Sequence, residues 1–431
     1  MPFSALGLSE PLQRALRERH YLAPTPIQVT TIPVVLRGGD VRASAQTGSG
    51  KTAAFALPIL QQLLQGARET PRKIAALVLA PTRELAMQIA ESFRAYAHYM
   101  PESVKIVAVF GGVSINPQMM ALRGGADVVV ATPGRLLDLA ENHALQLNTV
   151  STLVLDEADK LFELGFADEL ARVLALLPAR RQTLLFSATF PAAVQALAEQ
   201  LLREPTCIEI EATPATVPEI AQRAIAVDTA RRTLLLRHLI QHHGWSRVLV
   251  FVATKYATEH VAKKLRRVGV NAAAFHGELS QGARTLTLAD FKASKLQVVV
   301  ATDVAARGLD IAQLPVVVNY DLPRSALDYT HRIGRTGRAG ERGVAVSFVS
   351  AESEAHFCLI EKRNHFSLPR EQIVGFEPEN PVSPIAAEVP VPGTGGIKGQ
   401  RRSKKDKLRA VVDQALPKKV VWERYAPKPI P

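Results

Sequence analysis

Cysteine, aromatic residues and long apolar runs are all scarce in this sequence. Of its 431 residues, two are cysteines and 6% are aromatic. The two cysteines, Cys207 and Cys358, are too few and too far apart for a disulfide framework or a zinc site. No apolar run reaches the ~18–20 residues that span a bilayer, and the N-terminal residues lack the apolar core of a secretory signal. We therefore expect a protein of the reducing cytoplasm that does not enter the membrane.

Acidic residues are outnumbered by basic ones. The chain has 52 Lys and Arg against 40 Asp and Glu, a net charge of +12. The segment from Pro378 to Pro431 contains eleven Lys or Arg and five acidic residues, so it carries half of this charge. Such a balance indicates a polyanionic partner without saying what is done to it. The apolar fraction of 47% is enough for buried cores and excludes wholesale disorder.

Short apolar, β-branched runs alternate with amphipathic stretches of helical length. This alternation predicts an α/β fold with parallel sheets covered on both faces. The runs fall into two series, which favours two successive domains over one very wide sheet. The predicted strands are Val41–Ser44, Ala75–Ala80, Ile106–Phe110, Val128–Ala131, Leu153–Asp156 and Thr183–Ser187, then Val248–Val252, Ala272–Phe275, Val298–Ala301, Val316–Tyr320 and Val344–Val349. The predicted boundaries are 1–210 for the first domain, 211–218 for a Pro-containing linker, 219–375 for the second domain and 376–431 for a basic, mostly disordered tail.

A glycine-rich stretch follows the first predicted strand and precedes a helical segment. Small residues at such a turn let backbone N–H groups surround phosphates, while a lysine neutralises the β- and γ-phosphates and a hydroxyl binds Mg²⁺. We therefore predict a P-loop with Lys51 and Thr52 in these two roles, the alternative being a glycine-rich turn that binds nothing. The first position of the usual pattern is alanine here. The predicted phosphate-binding residues are Ala45, Gln46, Thr47, Gly48, Ser49, Gly50, Lys51 and Thr52.

An acidic pair at the end of another apolar strand complements this loop. Asp156 and Glu157 follow Leu153–Leu155, at the carboxyl end where ligands bind in open α/β sheets. Asp156 is suited to hold Mg²⁺, and Glu157 to activate the water that attacks the γ-phosphate. Alone, such a cluster is usually a solvated helix start. Together with the P-loop it predicts the second half of one nucleoside-triphosphatase site.

Residues 156–159 read Asp-Glu-Ala-Asp, and from residue 1 to about 375 the sequence resembles the DEAD-box RNA helicases. The resemblance implies two tandem RecA-like domains, ATP and Mg²⁺ as cofactors, and RNA bound without sequence specificity through its backbone and 2′-OH groups. It also implies that Tyr21 stacks on adenine, that Gln28 binds the adenine edge and that Asp310 binds the ribose hydroxyls. The stretch Phe110–Met120 is most similar to the bacterial RhlE-type members.

Further motifs that match the family imply roles for other residues. Arg335 and Arg338 resemble the arginine fingers that join Lys51, Asp156 and Glu157 in catalysis. The residues implied to couple hydrolysis to strand separation are Asp159, Ser187, Thr189 and His331. The residues implied to contact RNA are Pro81, Thr82, Arg83, Gly111, Gly112, Thr132, Pro133, Gly134, Arg135, Thr254, Gln281, Arg284 and Thr302.

The resemblance leaves several questions open. The expected activity is ATP-dependent local melting of short RNA duplexes or remodelling of ribonucleoproteins. The alternative is an ATP-gated RNA clamp or scaffold whose hydrolysis is incidental, and a DNA helicase is a third reading. The tail is either an RNA tether or a solvated extension. We expect a monomer that works on a ribosome-assembly intermediate or within an RNA-degradation complex.

Overall fold

The computed structural model describes residues 2–45, 48–66, 70–210, 220–306, 314–337 and 343–379. Within these ranges the chain forms two seven-stranded sheets in which every strand pair is parallel. The predicted linker 211–218 and the tail from residue 380 onward lie outside the described residues. The exact domain boundaries therefore stay a prediction, whereas the α/β class with two parallel sheets is confirmed.

The first sheet comprises the strands between residues 41 and 209. They are β1 (Val41–Ser44), β2 (Ala76–Leu79), β3 (Ile106–Val109), β4 (Val128–Ala131), β5 (Thr152–Leu155), β6 (Gln182–Ser187) and β7 (Thr206–Glu209). Their spatial order is β3-β4-β2-β5-β6-β1-β7. Because all strands are parallel, the loops that follow β1, β2, β4, β5 and β6 all leave the sheet at the carboxyl ends of the strands.

The second sheet repeats the topology of the first. Its strands are β8 (Ile220–Ala226), β9 (Val248–Phe251), β10 (Ala272–Phe275), β11 (Val298–Ala301), β12 (Val316–Asn319), β13 (Gly343–Val349) and β14 (Arg370–Glu371). Their order is β10-β11-β9-β12-β13-β8-β14. Counted from the first strand of each sheet, this is the same order as in the first sheet, so the two domains share one fold.

Helices connect the parallel strands, as crossover connections require. In the first domain they are α1 (Glu10–Glu18), α2 (Pro26–Leu36), α3 (Lys51–Gln65), α4 (Arg83–Tyr96), α5 (Asn116–Leu122), α6 (Pro133–Glu141), α7 (Ala158–Glu163), α8 (Ala167–Ala175) and α9 (Ala192–Leu201). In the second they are α10 (Arg232–His242), α11 (Lys255–Arg267), α12 (Gln281–Lys292), α13 (Asp303–Ala306), α14 (Ala326–Ile333) and α15 (Glu354–Asn364). Short 3₁₀ helices span Phe3–Leu6, Thr229–Arg231 and Ala351–Ser353. Among the described helices, none is both long and apolar enough to cross a membrane.

Alternate residues of the first sheet face two separate cores. Val78 and Val154 pack into the core under α2, α3 and α4, whereas Leu77 and Leu153 pack into the core on the opposite face under α6, α8 and α9. This division follows from the two-residue period of a strand. It explains why the strands are apolar throughout rather than alternating with polar residues.

The predicted strands agree with the observed ones to within one residue at each end. The prediction missed β7, β8 and β14. In β7 only Ile208 is buried, β8 contains Gln222 and Arg223, and β14 has two residues. These strands lie at or near a sheet edge, where half-exposed residues carry a weaker apolar signal.

Asp40 joins three segments of the first domain directly before β1. Its carboxylate accepts hydrogen bonds from the backbone N–H of Thr183 and of Arg203, both at 2.8 Å. The side chain is buried, so it replaces water for two backbone donors that have to be satisfied.

We predict that Asp40→Ala lowers the free energy of unfolding of the first domain by about 3 kcal/mol, because two buried donors lose their acceptor. Urea titration followed by far-ultraviolet circular dichroism measures the change. Trp245 lies in the second domain, so its fluorescence should keep its midpoint. The control Glu199→Ala, at an exposed position of α9, should shift stability by no more than ~0.5 kcal/mol. Equal shifts in the two variants would contradict this role of Asp40.

Candidate active site and nucleic-acid interface

The P-loop connects β1 to α3 at the carboxyl edge of the first sheet. Gly48 and Gly50 have φ angles of 85° and 96°, and Gly50 is the N-cap of α3. The Lys51 ammonium is buried and donates to the carbonyl of Ala45 at 3.0 Å, so it lies inside the loop. Thr52 follows in the first turn of α3, and Ser49 lies in the described part of the loop. Gln46 and Thr47 lie outside the described residues.

Gln28 connects the start of α2 to this loop. Its side-chain oxygen accepts from the Thr25 N–H at 3.0 Å, and its amide nitrogen donates to the Gly50 carbonyl at 3.1 Å. A Cβ atom at Gly50 would lie 2.5 Å from that amide nitrogen, and the positive φ angle also disfavours a side chain. Position 50 therefore requires glycine for two reasons. The buried Gln28 fixes the shape of the phosphate loop, a role that its sequence motif alone did not indicate.

Tyr21 is partly buried against the core that contains residues of α2 and α3. Its hydroxyl is 3.3 Å from that of Tyr96, the two rings are tilted with centroids 6.3 Å apart, and Tyr21 is partly exposed. The neighbouring Leu22 is 93% exposed. An accessible ring beside an apolar side chain is compatible with the predicted stacking on a base. Asp310, predicted to bind the ribose, lies outside the described residues.

Asp156 and Glu157 are both buried at the end of β5. Burial raises the pKa of Asp156 to about 6, an effect that the nearby Lys51 opposes and the negative charge of Glu157 reinforces. Burial also opposes ionisation of Glu157, but the cations Lys160, Lys51 and Arg335 together hold its pKa below the usual value. The Glu157 carboxylate lies 3.1 Å from the buried Lys160 ammonium. Glu157 is thus kept ionised, as a base must be.

The backbone at Glu157 is strained. Its φ and ψ angles are both 52°, in the left-handed region that non-glycine residues rarely adopt. This conformation turns the chain from β5 into α7 at Glu157. The Oδ1 atom of Asp156 accepts a hydrogen bond from the Glu157 N–H at 3.0 Å. Strain of this kind persists where the surrounding structure enforces it, which is typical of active sites.

The oxygen atoms of Thr52 and Asp156 fit Mg²⁺. A buried carboxylate whose pKa is raised by burial gains stability from a nearby cation. No cluster of three or more His, Cys, Asp or Glu able to hold a metal occurs in the described ranges. Mg²⁺ needs no such cluster, since it is usually held by one or two carboxylates, water and the substrate phosphates. The donor set therefore suits a nucleotide-bound magnesium ion.

Asp159 is bonded to the segment that follows β6. Its Oδ2 accepts from the Thr189 N–H at 3.0 Å and the Thr189 hydroxyl at 2.9 Å. Its own N–H donates to the Ser187 hydroxyl at 3.1 Å, and that hydroxyl donates to the Thr189 carbonyl at 2.6 Å. The structure thus brings together three of the residues predicted to couple hydrolysis to strand separation.

His331 and Arg335, from α14 and the turn after it, act electrostatically on these first-domain groups. Burial and the positive charge of Lys160 lower the pKa of His331 to about 4, against the opposing effect of Asp159. Arg335 is buried and lowers the pKa of Glu157. The two domains therefore face each other across the predicted catalytic residues. Arg338, the other predicted arginine finger, lies outside the described residues.

The RNA-contact residues predicted in the first domain follow three neighbouring strands. Pro81, Thr82 and Arg83 follow β2, Gly111 and Gly112 follow β3, and Thr132, Pro133, Gly134 and Arg135 follow β4. Thr82 caps α4 by accepting the Leu85 N–H at 3.3 Å. A Cβ atom at Gly112 would lie 2.3 Å from the Arg83 guanidinium, and Arg135 donates to the Val113 carbonyl at 2.8 Å. These three loops form one surface at the carboxyl ends of the strands.

The RNA-contact residues predicted in the second domain also lie at strand ends or helix starts. Thr254 caps α11 and accepts the Ala257 N–H at 3.1 Å, Thr302 follows β11, and Gln281 begins α12. Both polar atoms of the Gln281 amide are buried and lack a hydrogen-bond partner among the described residues. Buried amides are normally satisfied, so this one is available to a ligand.

Arg284 contacts Glu84 of the first domain, a residue to which the sequence analysis assigned no role. Its Nε donates to the Glu84 carboxylate at 2.8 Å, between residues 200 positions apart. Both side chains are buried, and the Arg284 guanidinium also stands 4.6 Å from the centre of the Phe275 ring. Glu84 directly follows the predicted RNA-contact residue Arg83. No local pattern indicates such a pair, and the predicted RNA contact of Arg284 stays a prediction.

Arg332 is a second residue that the sequence analysis missed. It forms two hydrogen bonds with Asp303, at 2.5 and 2.7 Å, and donates to Asn319 at 3.1 Å and the Asp321 carbonyl at 2.6 Å. It therefore fixes α14, which carries His331, to the loop that carries Thr302. Its place between His331 and Arg335 in the motif was the only available signal.

Comparison with protein-family models gives two matches. The model for the DEAD/DEAH box helicase matches residues 25–197, and the model for the helicase conserved C-terminal domain matches residues 231–340. The first match contains the P-loop and Asp156–Asp159. The second contains Arg284, His331 and Arg335.

Proteins similar to this chain include bacterial helicases. The chain is 42% identical over 375 residues to the ATP-dependent RNA helicase DeaD of Escherichia coli K12, covering 87% of this chain and 59% of that protein. It is 39% identical over 368 residues to the DEAD-box ATP-dependent RNA helicase CshA of Geobacillus kaustophilus, covering 85% and 78%. The chain spans about three fifths of the length of the DeaD relatives from Escherichia coli and Buchnera aphidicola.

A solved structure of S. cerevisiae Dbp5 bound to RNA and ADP BeF3 has the same fold. The TM-score is 0.75 at 32% identity, and the match covers 86% of this chain and 95% of that chain.

Proposed function

The chain belongs to the DEAD-box RNA helicase family, and from that premise we propose that it is an RNA-stimulated ATPase that melts short RNA duplexes locally or remodels ribonucleoproteins. The observation that carries the proposal is the meeting of the two domains across the catalytic residues. Arg335 of the second domain acts on Glu157 of the first, and Arg284 is bonded to Glu84. Hydrolysis that needs both domains is the means by which an ATPase drives movement.

At the ATP side, each residue has a separate task. Lys51 leaves the Ala45 carbonyl and binds the phosphates, and Gln28 holds the loop around them. Glu157 accepts a proton from the attacking water, because its carboxylate is kept ionised in a buried site. Arg335 stabilises the charge that develops during transfer, an effect worth ~10³–10⁵ in rate in related chemistry.

Thr52 and Asp156 are the residues that would hold Mg²⁺. The ion, when bound with ATP, supplies positive charge that neutralises the phosphates. The chain's own contribution is to bury Asp156 beside Lys51 and to exclude water from around it.

At the RNA side, the surface offers groups that suit a sugar–phosphate backbone. The loops after β2, β3 and β4 offer backbone N–H groups, hydroxyls and arginines, and Gln281 offers an unsatisfied amide. Such groups recognise phosphates and 2′-OH groups rather than base edges, so sequence specificity is low. A strand held along both domains leaves the path of a regular duplex, which melts a short helix locally.

ATP and RNA both bind across the two domains, so each favours the closed state and strengthens binding of the other. The bonds of Asp159 to Ser187 and Thr189 provide a physical route, because the loop after β6 is attached to the same turn as Glu157. Burial and the charge of Lys160 lower the pKa of His331 to about 4, so His331 is neutral near pH 7, and the charge of Asp159 opposes this shift. Loss of the γ-phosphate then loosens the turn and the grip on RNA together.

An ATP-gated RNA clamp is the second candidate. It would need the same closure but would have little use for a base held ionised or for a buried arginine, Arg335, whose charge lowers the pKa of that base. These two features favour a protein that turns over. DNA as the substrate is disfavoured because the family relatives are named as RNA helicases.

The cellular setting is part of the same proposal. We infer a cytoplasmic monomer that acts on a ribosome-assembly intermediate or in an RNA-degradation complex. The RhlE-type assignment stays a prediction, since the named relatives given above are DeaD and CshA.

The variant Glu157→Gln tests the proposed activity most simply. It removes the base but keeps the size of the side chain, so RNA-stimulated ATP hydrolysis should fall by at least ~10²-fold. Affinity for RNA in the presence of ATP should stay within about threefold of the starting protein. Hydrolysis is measured by phosphate release with single-stranded RNA, and the same length of DNA serves as the control. Unchanged turnover in the variant would remove Glu157 from its role, and equal stimulation by DNA would contradict the RNA assignment.

The Glu84–Arg284 pair is tested by a double-mutant cycle with Glu84→Ala, Arg284→Ala and the double variant. Each single variant leaves one buried charge unpaired, so we expect a loss of RNA-stimulated ATPase activity of about 30-fold or more. The double variant should lose little beyond either single variant, a coupling of at least ~1 kcal/mol. Additive losses would mean that Arg284 acts on RNA independently of Glu84.

A further inference from the structure

One exposed face of α11 combines aromatic and basic side chains. Its members are Tyr256, His260, Lys263, Lys264 and Arg267, which recur at three- and four-residue spacing and so line up along one side of a helix. We call this face the α11 stripe. The opposite face packs into the domain through Thr258, Val261, Ala262 and Leu265. The stripe is therefore not needed for the core.

The two rings of the stripe are stacked on each other. Their centroids are 5.8 Å apart with an angle of 18° between the planes, and Tyr256 is 74% exposed. The Tyr256 ring is therefore accessible to a stacking partner. A preordered pair of rings beside positive charges is the arrangement on which nucleic-acid bases stack.

The cations of the stripe are available to a ligand. Lys263, Lys264 and Arg267 are exposed and form no ion pair with any described residue. Two acidic residues at the start of α11 have partners other than the stripe, since Glu278 pairs with Lys255 and Glu259 contacts His276 at 3.1 Å. The stripe thus presents positive charge without an internal counterion.

The start of the stripe lies beside the predicted RNA surface. Thr254, a predicted RNA-contact residue, is the N-cap of α11. The contacts of α11 with His276 and Glu278 attach its first two turns to the loop that leads into Gln281. From there α11 runs for 13 residues, a length of about 20 Å, away from the carboxyl ends of the strands. A single strand of RNA that leaves the cleft past Thr254 would therefore reach the stripe next.

We propose that the α11 stripe binds the single-stranded RNA that extends beyond the cleft, with a base stacked on the Tyr256–His260 pair and phosphates on Lys263 and Arg267. The proposal rests on the proposed function for its ligand. The stripe lengthens the bound strand by a few nucleotides and adds affinity without adding sequence specificity. RNA is favoured over an acidic protein because the exposed rings and the adjoining Thr254 surface together suit a nucleotide chain.

The test compares oligouridylates of ~6 and ~18 nucleotides, the shorter filling the cleft alone and the longer reaching the stripe. The variant Lys263→Gln/Arg267→Gln removes two charges from the stripe. The matched control Lys362→Gln/Arg363→Gln removes two charges from exposed positions of α15 in the same domain. Affinity is measured by fluorescence anisotropy in the presence of ATP across a range of salt concentrations.

The stripe variant should bind the ~18-mer at least about fivefold more weakly, and its salt slope should fall by about 1.4 for two lost phosphate contacts. Its affinity for the ~6-mer should stay unchanged, and the control variant should match the starting protein with both oligonucleotides. Tyr256→Ala should also weaken binding of the ~18-mer, whereas Tyr256→Phe, which keeps the ring, should not.

Equal affinities of the stripe and control variants for the ~18-mer would overturn the proposal, and would be the result if the stripe served an acidic protein instead. A loss of the same size with both oligonucleotides would overturn it too, because the effect would then come from the cleft. ATPase stimulation of the starting protein by the ~6-mer is read separately. If the ~6-mer did not stimulate ATP hydrolysis, the proposed function would be contradicted. The difference in affinity between the ~6-mer and the ~18-mer would still test the role of the stripe.

Discussion

The ion pair between Glu84 and Arg284 depends on the two domains being together. Both side chains are buried, and the pair joins α4 of the first domain to α12 of the second. Taking two charges out of water costs about as much as their attraction returns. Because the ion pair contributes little net free energy, the two domains can separate again after closure. The ion pair also makes closure selective, because a misaligned interface would leave one buried charge unpaired.

Closure has consequences at both ligand surfaces. Glu84 follows Arg83 at the start of α4, and Arg284 lies about one helical turn after Gln281 in α12, so each partner of the ion pair is close in sequence to a predicted RNA-contact residue. The same approach of the domains brings Arg335 and His331 towards Glu157 and Asp159. In the proposed function, RNA binding and ATP hydrolysis are therefore coupled to one movement of the domains. The α11 stripe is proposed to add affinity for RNA beyond this cleft.

The sequence predicted the strands well because buried parallel strands are continuous apolar runs, as in Val128–Ala131 and Val298–Ala301. It also predicted roles for the P-loop and Asp156–Asp159, because the chemistry of each motif depends on consecutive residues. Edge strands such as β7 escaped because three of its four residues are exposed. Strand order escaped because pairing is set by tertiary packing rather than by local pattern.

Interdomain partners were the part of the site that could not be predicted. Glu84 and Arg284 each lie in a recognisable motif, yet nothing in either motif indicates the other. The hydrogen bond from Gln28 to the Gly50 carbonyl could not be predicted for the same reason, because it depends on how α2 packs against α3. Roles made by consecutive residues can be read from a sequence, whereas roles made by distant ones require the fold.

The most direct measurement of the central claim is the distance between the domains in solution. One fluorophore can be attached to the exposed Cys207 of the first domain and the other to a cysteine introduced as Lys362→Cys in the second, with Cys358→Ser to prevent a third label. Energy transfer should shift furthest towards that of the closed form when ATP and RNA are both present, and Arg284→Ala should abolish the shift. No greater shift with both ligands than with one, or a shift that is unaffected by Arg284→Ala, would contradict the dependence of closure on this contact.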